Sequence, residues 1–371
     1  MIYLDNGATS FHKPASVRKA VMDAMMTCAN PGRGGYPEAM AAAAAVYRCR
    51  ESVGEMFGCF PEQVVFTSNC THALNIAIRS LVKPGARVVV SGFEHNAVTR
   101  PLHALHAQII PAGRKLFDPD DTLEQFEKAL REGADAAVFT YVSNVFGYIL
   151  PVEQIASLCR HYGVPFAVDA AQAAGTLPVR LDELGADYIA MPGHKGLLGP
   201  QGTGILLCGK MPEPLVFGGT GSRSIDQTMP DFLPDRCEAG TVNVPGIAGL
   251  DAGIRYLLNV GIRNIHTREA REAARCAKGL EQLGFRVFHG KNQSGTVSFV
   301  PDMDCEEAAQ VLAEKGIAVR AGVHCAPLAH ESAGTLETGT VRVSFGPDAA
   351  AWQTDRFLQA AKSVAHRTHP D

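Results

Sequence analysis

Short apolar runs alternate with amphipathic segments along the first two thirds of the chain. The runs at residues 63–67, 87–91 and 136–144 have the length of buried strands. Between them, the spacing of apolar positions predicts helices over 71–78 and 122–131. Strands that alternate with helices in this way form βαβ units, so the pattern predicts a mostly parallel sheet covered by helices.

Two further apolar runs enclose a dense group of polar side chains. The first ends at Asp169 and is followed by Gln172, and the second, residues 188–191, leads into His194 and Lys195. The carboxyl ends of parallel strands face a ligand crevice. We therefore expect an acid, an amide, an imidazole and an amine around one crevice.

The last third of the chain predicts a smaller α+β domain. We place the boundary near residue 245, which gives an N-terminal segment 1–14, a large domain 15–245 and a small domain 246–371. A Gly- and Pro-rich loop is expected over 30–36. The predicted elements of the small domain are helices over 247–258, 265–283 and 305–315 and strands over 286–288, 295–300 and 317–320.

Composition narrows the class of protein. The 371 residues are 46% hydrophobic and 19% charged, which is typical of a globular chain with one large and one smaller domain. The formal charge of −4 gives no electrostatic reason to expect nucleic acid or an anionic membrane as partner. There is no apolar run of about 18 residues, and the start MIYLDNGATS lacks the features of a signal peptide. We expect a cytoplasmic protein.

The ten cysteines include no C-x-x-C pair, which argues against a zinc ribbon or a thioredoxin-type centre, and no metal site is predicted. Most are expected to be buried hydrophobic residues. Cys325 differs, because it lies in a Gly- and Pro-bounded loop directly after a histidine and near Arg320 and Arg342. An electropositive, partly exposed setting favours the nucleophilic thiolate.

An acid and a lysine on neighbouring strand ends suit pyridoxal phosphate. The amine of Lys195 can condense with the cofactor's aldehyde, and Asp169 can pair with the ring nitrogen. Cys70 and Thr71 open a predicted helix, where free N–H groups and the helix dipole favour a phosphate. Ordinary helix capping remains the alternative there.

The motifs, taken together, resemble the class V aminotransferase fold family and, within it, the group II cysteine desulfurases. They are D-A-A-Q from Asp169, G-H-K ending at Lys195, R-x-E-A-G-T-x-N ending at Asn243, and R-x-G-x-H-C-A around Cys325. The group I signature around the cysteine is absent. The resemblance covers nearly the whole chain and implies an α/β chain of PLP-dependent fold type I, with a mostly parallel sheet in the large domain and the cysteine loop in a smaller α+β domain.

The resemblance also implies roles for residues. Lys195, Cys325 and His95 would be catalytic, with His95 stacked on the cofactor ring, and Arg342, Asn6 and Arg320 would bind the substrate. Thr241 would reach the phosphate in the other subunit, which implies a homodimer with shared active sites. The implied cofactor-binding residues are Cys70, Thr71, His95, Asn144, Asp169, Gln172, His194, Lys195 and Thr241.

Each residue alone has an ordinary structural alternative. His95 could be a satisfied structural histidine, Asn144 a strand-end turn residue, and Arg342 an exposed edge charge. Two departures from the family pattern stand out. His72 occupies a position where an acid is usual. Phe345-Gly346-Pro347 replaces the usual continuation after the R-x-S arginine, which predicts a different substrate-side wall.

These observations predict a PLP-dependent cysteine desulfurase. It would convert L-cysteine to L-alanine, form a persulfide on Cys325 and supply sulfur to an acceptor protein. A selenocysteine lyase acting on L-selenocysteine would use nearly the same residues. A class V aminotransferase or β-lyase acting on another amino acid would not need Cys325. From a different class, a PLP-binding scaffold protein would not need the full set of side chains.

Overall fold

Thirteen strands and twelve α-helices organise the part of the chain that the computed structural model describes, residues 1–32 and 34–365. The strands are β1 Ile2–Tyr3, β2 Val64–Thr67, β3 Arg87–Ser91, β4 Gln108–Ala112, β5 Ala136–Thr140, β6 Phe166–Asp169, β7 Tyr188–Pro192, β8 Gly204–Cys208, β9 Arg286–Phe288, β10 Thr296–Val300, β11 Ile317–Ala318, β12 Arg320–Gly322 and β13 Thr340–Ser344. The helices are α1 Ala15–Thr27, α2 Pro37–Phe57, α3 Cys70–Leu81, α4 Asn96–Ala104, α5 Pro119–Arg131, α6 Val152–Tyr162, α7 Leu181–Leu184, α8 Val244–Val260, α9 Ile262–Gln282, α10 Cys305–Glu314, α11 Pro327–Ala333 and α12 Ala351–Ala361.

The central sheet has seven strands in the order β2-β8-β7-β6-β5-β3-β4. The strands from β7 to β4 in that order run parallel, whereas β8 is antiparallel to both of its neighbours. The predicted α/β class with a mostly parallel sheet is therefore confirmed.

Helices cover both faces of this sheet. Val88 and Val90 of β3 pack into a core that contains apolar residues of α3 and α4, and Val89 between them packs into the core that contains residues of α5 and α6. Successive side chains of a strand point to opposite faces. A continuous apolar run is thus what a strand buried on both faces requires.

The second sheet has four antiparallel strands in the order β12-β13-β10-β9. It packs against α9 and α10, and the ring of Phe357 on α12 contacts Phe299 of β10. The N-terminal segment joins this part of the molecule. β1 pairs in parallel with β11, and Leu4 is buried in the same core as Phe299 and Phe357.

Helix α8 lies beyond the boundary expected near residue 245, yet it packs against α1 and α2. Its residues Leu250 and Ile254 belong to the core of the central sheet. The apolar face of α8 is therefore covered by α1, α2 and the core of the central sheet. Arg33 and residues 366–371 lie outside the described residues.

Strand β5 ends at Thr140, four residues short of the predicted end. The chain turns back after it, because Val142 bridges to Ile149 and the N–H of Gly147 donates to the carbonyl oxygen of Ser143. Asn144 consequently lies in a loop above the strand ends. Among the described helices, none has the length and apolar character needed to cross a membrane.

Candidate active site

Asp169 is the last residue of β6 and is buried at the carboxyl end of the sheet. Its Oδ1 accepts the N–H of Ala171 at 2.9 Å and faces the thiol of Cys70 at 3.6 Å. Burial, followed by the nearby Asp169 carboxylate, raises the pKa of Cys70 well above its ordinary value. Cys70 is thus a thiol that donates to the carboxylate.

Lys195 lies in the turn that follows β7, the strand next to β6 in the sheet. Burial lowers the pKa of Lys195 below the ordinary lysine value, and the negative charge of Asp169 partly opposes this. The neutral amine of Lys195 therefore forms at a lower pH than that of a solvent-exposed lysine. The neutral amine is the form that acts as nucleophile or base.

A cavity of about 110 Å³ brings most of the sequence-predicted residues together. Its walls also include the N-cap residue Asn69 and the β5 residue Thr140. The predicted site residues that line it are Cys70, Thr71, His95, Asn144, Asp169, Gln172, His194 and Lys195.

The N-terminus of α3 forms one end of the cavity. Asn69 caps the helix by accepting the N–H of His72 at 2.9 Å. The N–H groups of Cys70 and Thr71 donate to no other residue in the described part of the chain, and the first N–H groups of a helix attract anions. His72 itself points away, since its ring approaches the Ser68 hydroxyl at 3.3 Å.

His95 caps helix α4, and its Nδ1 accepts the N–H of Ala97 at 3.0 Å. In the neutral ring the proton is therefore on Nε2. Burial lowers the pKa of His95, with Asp169 acting in the opposite direction. His95 is thus a partly buried imidazole with one nitrogen available to the cavity.

One amide, that of Gln172, and a second histidine, His194, connect the cavity to the N-terminal segment. Gln172 donates from Nε2 to the carbonyl oxygen of Gly7 at 2.9 Å. The ring of His194 contacts the Thr9 hydroxyl at 3.1 Å, and burial lowers the pKa of His194 to about 4. The N-terminal segment therefore lies against the cavity wall.

Arg342 on β13 is buried and already engaged. Its two terminal nitrogens donate to Asp5 Oδ1 at 2.8 Å and to the carbonyl oxygen of Asn144 at 2.9 Å. Arg320 is exposed and donates to the other Asp5 oxygen at 3.2 Å. The alternative of an exposed edge charge is thus wrong for Arg342, and Asp5 holds both arginines where a substrate carboxylate was expected.

Asn6 and Thr241 do not line the cavity. Asn6 donates to the carbonyl oxygen of Ser344 at 3.2 Å and lines an adjoining space that also contains Lys195. A side chain on Gly346 would meet the Asn6 amide at 2.8 Å, so the Phe345-Gly346-Pro347 departure makes room for that amide. Thr241 is exposed in a surface depression that it shares with His72.

Cys325 is the exposed member of the ten cysteines, as predicted. It lies between β12 and α11, and its carbonyl oxygen accepts the N–H of Asn96 at 2.7 Å. The neighbouring His324 does not supply the positive charge that the sequence suggested. Its ring is buried against Thr340, and burial lowers the pKa of His324 to about 2, so the imidazole is neutral.

Sequence reasoning assigned no role to two acids of the site, Asp5 and Glu94. Glu94 is fully buried, and its Oε1 accepts hydrogen bonds from the N–H of Ser91, the hydroxyl of Ser91 and the N–H of Thr140. It thereby joins the ends of β3 and β5 directly before His95. The sequence did contain a signal for Glu94, because it is a charged residue that stands between the end of a predicted strand and the candidate histidine His95.

Comparison with known proteins gives a consistent family. A family model described as Aminotransferase class-V matches residues 2–357. A probable cysteine desulfurase of Methanothermobacter thermautotrophicus is 34% identical over 364 residues, which cover 92% of this chain and 89% of the relative. A probable cysteine desulfurase of Pyrococcus abyssi is 32% identical over 379 residues, covering 96% of this chain and 92% of the relative.

The fold agrees with that family. The apo structure of a cysteine desulfurase from Thermococcus onnurineus matches with a TM-score of 0.89 and 30% identity, covering 98% of this chain and 94% of that chain. The family model, the curated relatives and the solved structure all extend over most of the sequence. This chain belongs to the aminotransferase class-V family.

Proposed function

We propose that this protein is a pyridoxal phosphate-dependent cysteine desulfurase, which converts L-cysteine to L-alanine and holds the released sulfur on Cys325. One observation carries the proposal. The exposed Cys325 loop is hydrogen-bonded, through Asn96 and Asn144, to the rim of the cavity that contains Lys195 and Asp169. The relatives named as cysteine desulfurases support the choice of substrate.

The residues around the cavity fit pyridoxal phosphate. Asp169 Oδ2 makes no hydrogen bond with a described residue and can pair with the ring nitrogen, and the α3 N-terminus can take the phosphate. The buried Oδ1 of Asn144 has no partner among the described residues, which fits a polar ligand beside it. When bound, the cofactor withdraws electrons from the substrate Cα and so stabilises negative charge there.

In this proposal, Lys195 and His95 transfer protons to and from the substrate. Burial leaves the Lys195 amine with a neutral fraction that can remove the proton from the substrate Cα. His95 has its Nδ1 committed to Ala97, which leaves Nε2 to exchange a proton with the substrate in the cavity. Asp169 stays in place through its bonds to Ala171 and Cys70.

Cys325 receives the sulfur. Its thiolate attacks the sulfur of the substrate, an S–S bond forms, and the Cβ–S bond breaks with its electron pair left on the substrate carbon. Protonation of that carbon completes L-alanine, and the persulfide remains on an exposed loop. That exposure suits transfer to an acceptor protein.

The substrate carboxylate is assigned to Arg342, with Arg320 and Asn6 nearby. Because Asp5 now occupies one terminal nitrogen of Arg342, a bound carboxylate would replace that contact. Arg320 remains as a partner for the released Asp5.

We further infer a homodimer with shared active sites. Thr241 lies outside the cavity of its own chain, and its segment is fixed by the buried pair Glu238 and Arg50 at 2.6 Å. The exposed methionines Met25 and Met26 on α1 add apolar surface of the kind found at interfaces.

Alanine release from L-cysteine tests the proposed reaction. Wild type supplied with pyridoxal phosphate and a thiol reductant is expected to form alanine, and Cys325→Ala is expected to bind the cofactor yet lose alanine formation. Cys28→Ala, which removes a half-buried thiol outside the site, should behave as wild type.

Other outcomes select the alternatives. Equal alanine formation by wild type and Cys325→Ala contradicts a persulfide relay and favours a lyase. Preferred turnover of L-selenocysteine identifies a selenocysteine lyase. Cofactor binding without turnover of any amino acid supports the alternative of a scaffold protein and contradicts the proposed function.

A further inference from the structure

Asn144 lies where the cavity, the substrate arginine and the cysteine loop meet. Its side-chain Nδ2 donates to the carbonyl oxygen of His324 at 2.8 Å, and its own carbonyl oxygen accepts from Arg342 at 2.9 Å. The same side chain lines the cavity with Lys195. One buried residue therefore contacts all three parts of the site, through its side-chain amide, its backbone carbonyl group and its place in the cavity wall.

The segment that Asn144 holds has an unfavourable backbone conformation. His324 and Cys325 are consecutive residues with φ of 52° and 57°, in the left-handed region that residues with a Cβ rarely adopt. Such a conformation persists where surrounding contacts determine it. Here the two carbonyl oxygens are fixed by Asn144 and by the N–H of Asn96.

The Asn144 amide also has unused hydrogen-bonding capacity. An amide nitrogen carries two hydrogens, and the contact with His324 uses one of them. Its Oδ1 is buried without a partner among the described residues. A polar group bound in the cavity can take up this capacity, and a hydrogen bond on one side of the amide fixes its orientation toward His324.

We propose that Asn144 is a positioning residue that couples occupancy of the cofactor cavity to the geometry of the Cys325 loop. A ligand in the cavity orients the Asn144 amide, the amide holds the His324 carbonyl, and the loop keeps Cys325 at the rim. This inference rests on the proposed function for the identity of the ligand, pyridoxal phosphate. The hydrogen bond from Asn144 to the loop is made within the chain and does not depend on the identity of the ligand.

Hydrogen–deuterium exchange of the peptide covering residues 320–328 tests the coupling. In wild type, addition of pyridoxal phosphate is expected to slow exchange of this peptide by about fivefold, the value of one net hydrogen bond. Asn144→Ala and Asn144→Asp remove the donor, so the cofactor should leave exchange of the peptide unchanged in both. Two variants are used so that one remains if the other does not fold.

Asn264→Ala is the matched control. Asn264 also donates its amide to a backbone carbonyl, that of Val260 at 2.9 Å, but it lies on the surface of α9 away from the cavity. It should show the wild-type response. A purely structural loss of stability would speed exchange throughout the chain, whereas loss of positioning removes the cofactor response of this one peptide.

The results separate this inference from the proposed function. Wild type that binds the cofactor and forms alanine without protecting the 320–328 peptide overturns the coupling and leaves the desulfurase proposal intact. Unchanged protection in the Asn144 variants also overturns it. If wild type binds no cofactor, the proposed function fails, and faster exchange of the peptide in cofactor-free Asn144→Ala than in cofactor-free wild type still decides whether Asn144 holds the loop.

Discussion

Burial sets the protonation of the individual side chains around the cavity. It lowers the pKa of Lys195 and of His194 and raises those of Cys70 and Glu94. Burial thus disfavours the charged forms of these groups around Asp169, which lines the same cavity as Cys70, His194 and Lys195. Several neighbouring groups with shifted pKa values are typical of sites that transfer protons.

Glu94 gives a pH prediction. Burial raises its pKa from 4.5 to about 8, so between these values the folded state keeps a proton that the unfolded state releases. Stability therefore falls as pH rises through this window, by up to about 1.4 kcal/mol per pH unit. Glu94→Gln should lose less stability than wild type over the same range, as measured by urea unfolding at several pH values.

Glu55→Gln is the control for that experiment, because Glu55 is exposed on α2. It should follow the wild-type pH dependence. If Glu94→Gln and wild type lose stability in parallel as pH rises, Glu94 is ionised in the folded state and its assignment as a neutral buried acid fails.

The limits of sequence reasoning are clearest at single residues. Asp169 and Lys195 could be predicted because strand ends in a parallel sheet face a common crevice. The contact of Asp5 with Arg342 could not, since 337 residues separate them in sequence. The direction of the His324 ring could not be predicted either, because its position next to Cys325 in the sequence does not determine where its side chain points.

At the level of secondary structure, strong patterns gave accurate bounds. β3 and β9 were predicted with the ends that the structure shows. The edge strand β4 was missed because it is partly exposed and contains Pro111, and β8 was missed because it follows a Gly- and Pro-rich turn. The apolar pattern also extended β5 past Thr140 into a turn that the N–H of Gly147 closes by donating to the carbonyl oxygen of Ser143.

Helix α8 begins at the boundary predicted near residue 245 and packs into the core of the central sheet. Its residue Leu250 contacts the turn that carries Lys195 through Gly193 and Gly199. Glycines at these two positions allow this approach, since a Cβ on either would crowd the Leu250 side chain. The helix therefore supports the lysine turn from behind.

Taken as a whole, the molecule builds its site from two parts. The large sheet supplies Asp169 and Lys195, whereas the small sheet supplies Arg342 and the Cys325 loop. The N-terminal segment lies between them, paired with β11 and hydrogen-bonded to Gln172. Sequence predicted both parts and their order, but the contacts between them came from the structure.

The proposed dimer is a property of the whole molecule. Sedimentation equilibrium is expected to give the mass of two chains. Thr241→Val should keep that mass while weakening cofactor binding, because the hydroxyl is assigned to the phosphate of the other subunit. A single-chain mass for an active enzyme would contradict shared sites.

The persulfide on Cys325 is the most direct test of the whole mechanism. Wild type loaded with pyridoxal phosphate is mixed with L-cysteine in the absence of reductant, and its peptides are mapped by mass spectrometry. We predict that the Cys325 peptide gains the mass of one sulfur atom, that reductant reverses the gain, and that alanine forms in equal amount. Alanine formed without added sulfur on that peptide would contradict the assignment of Cys325 as sulfur acceptor.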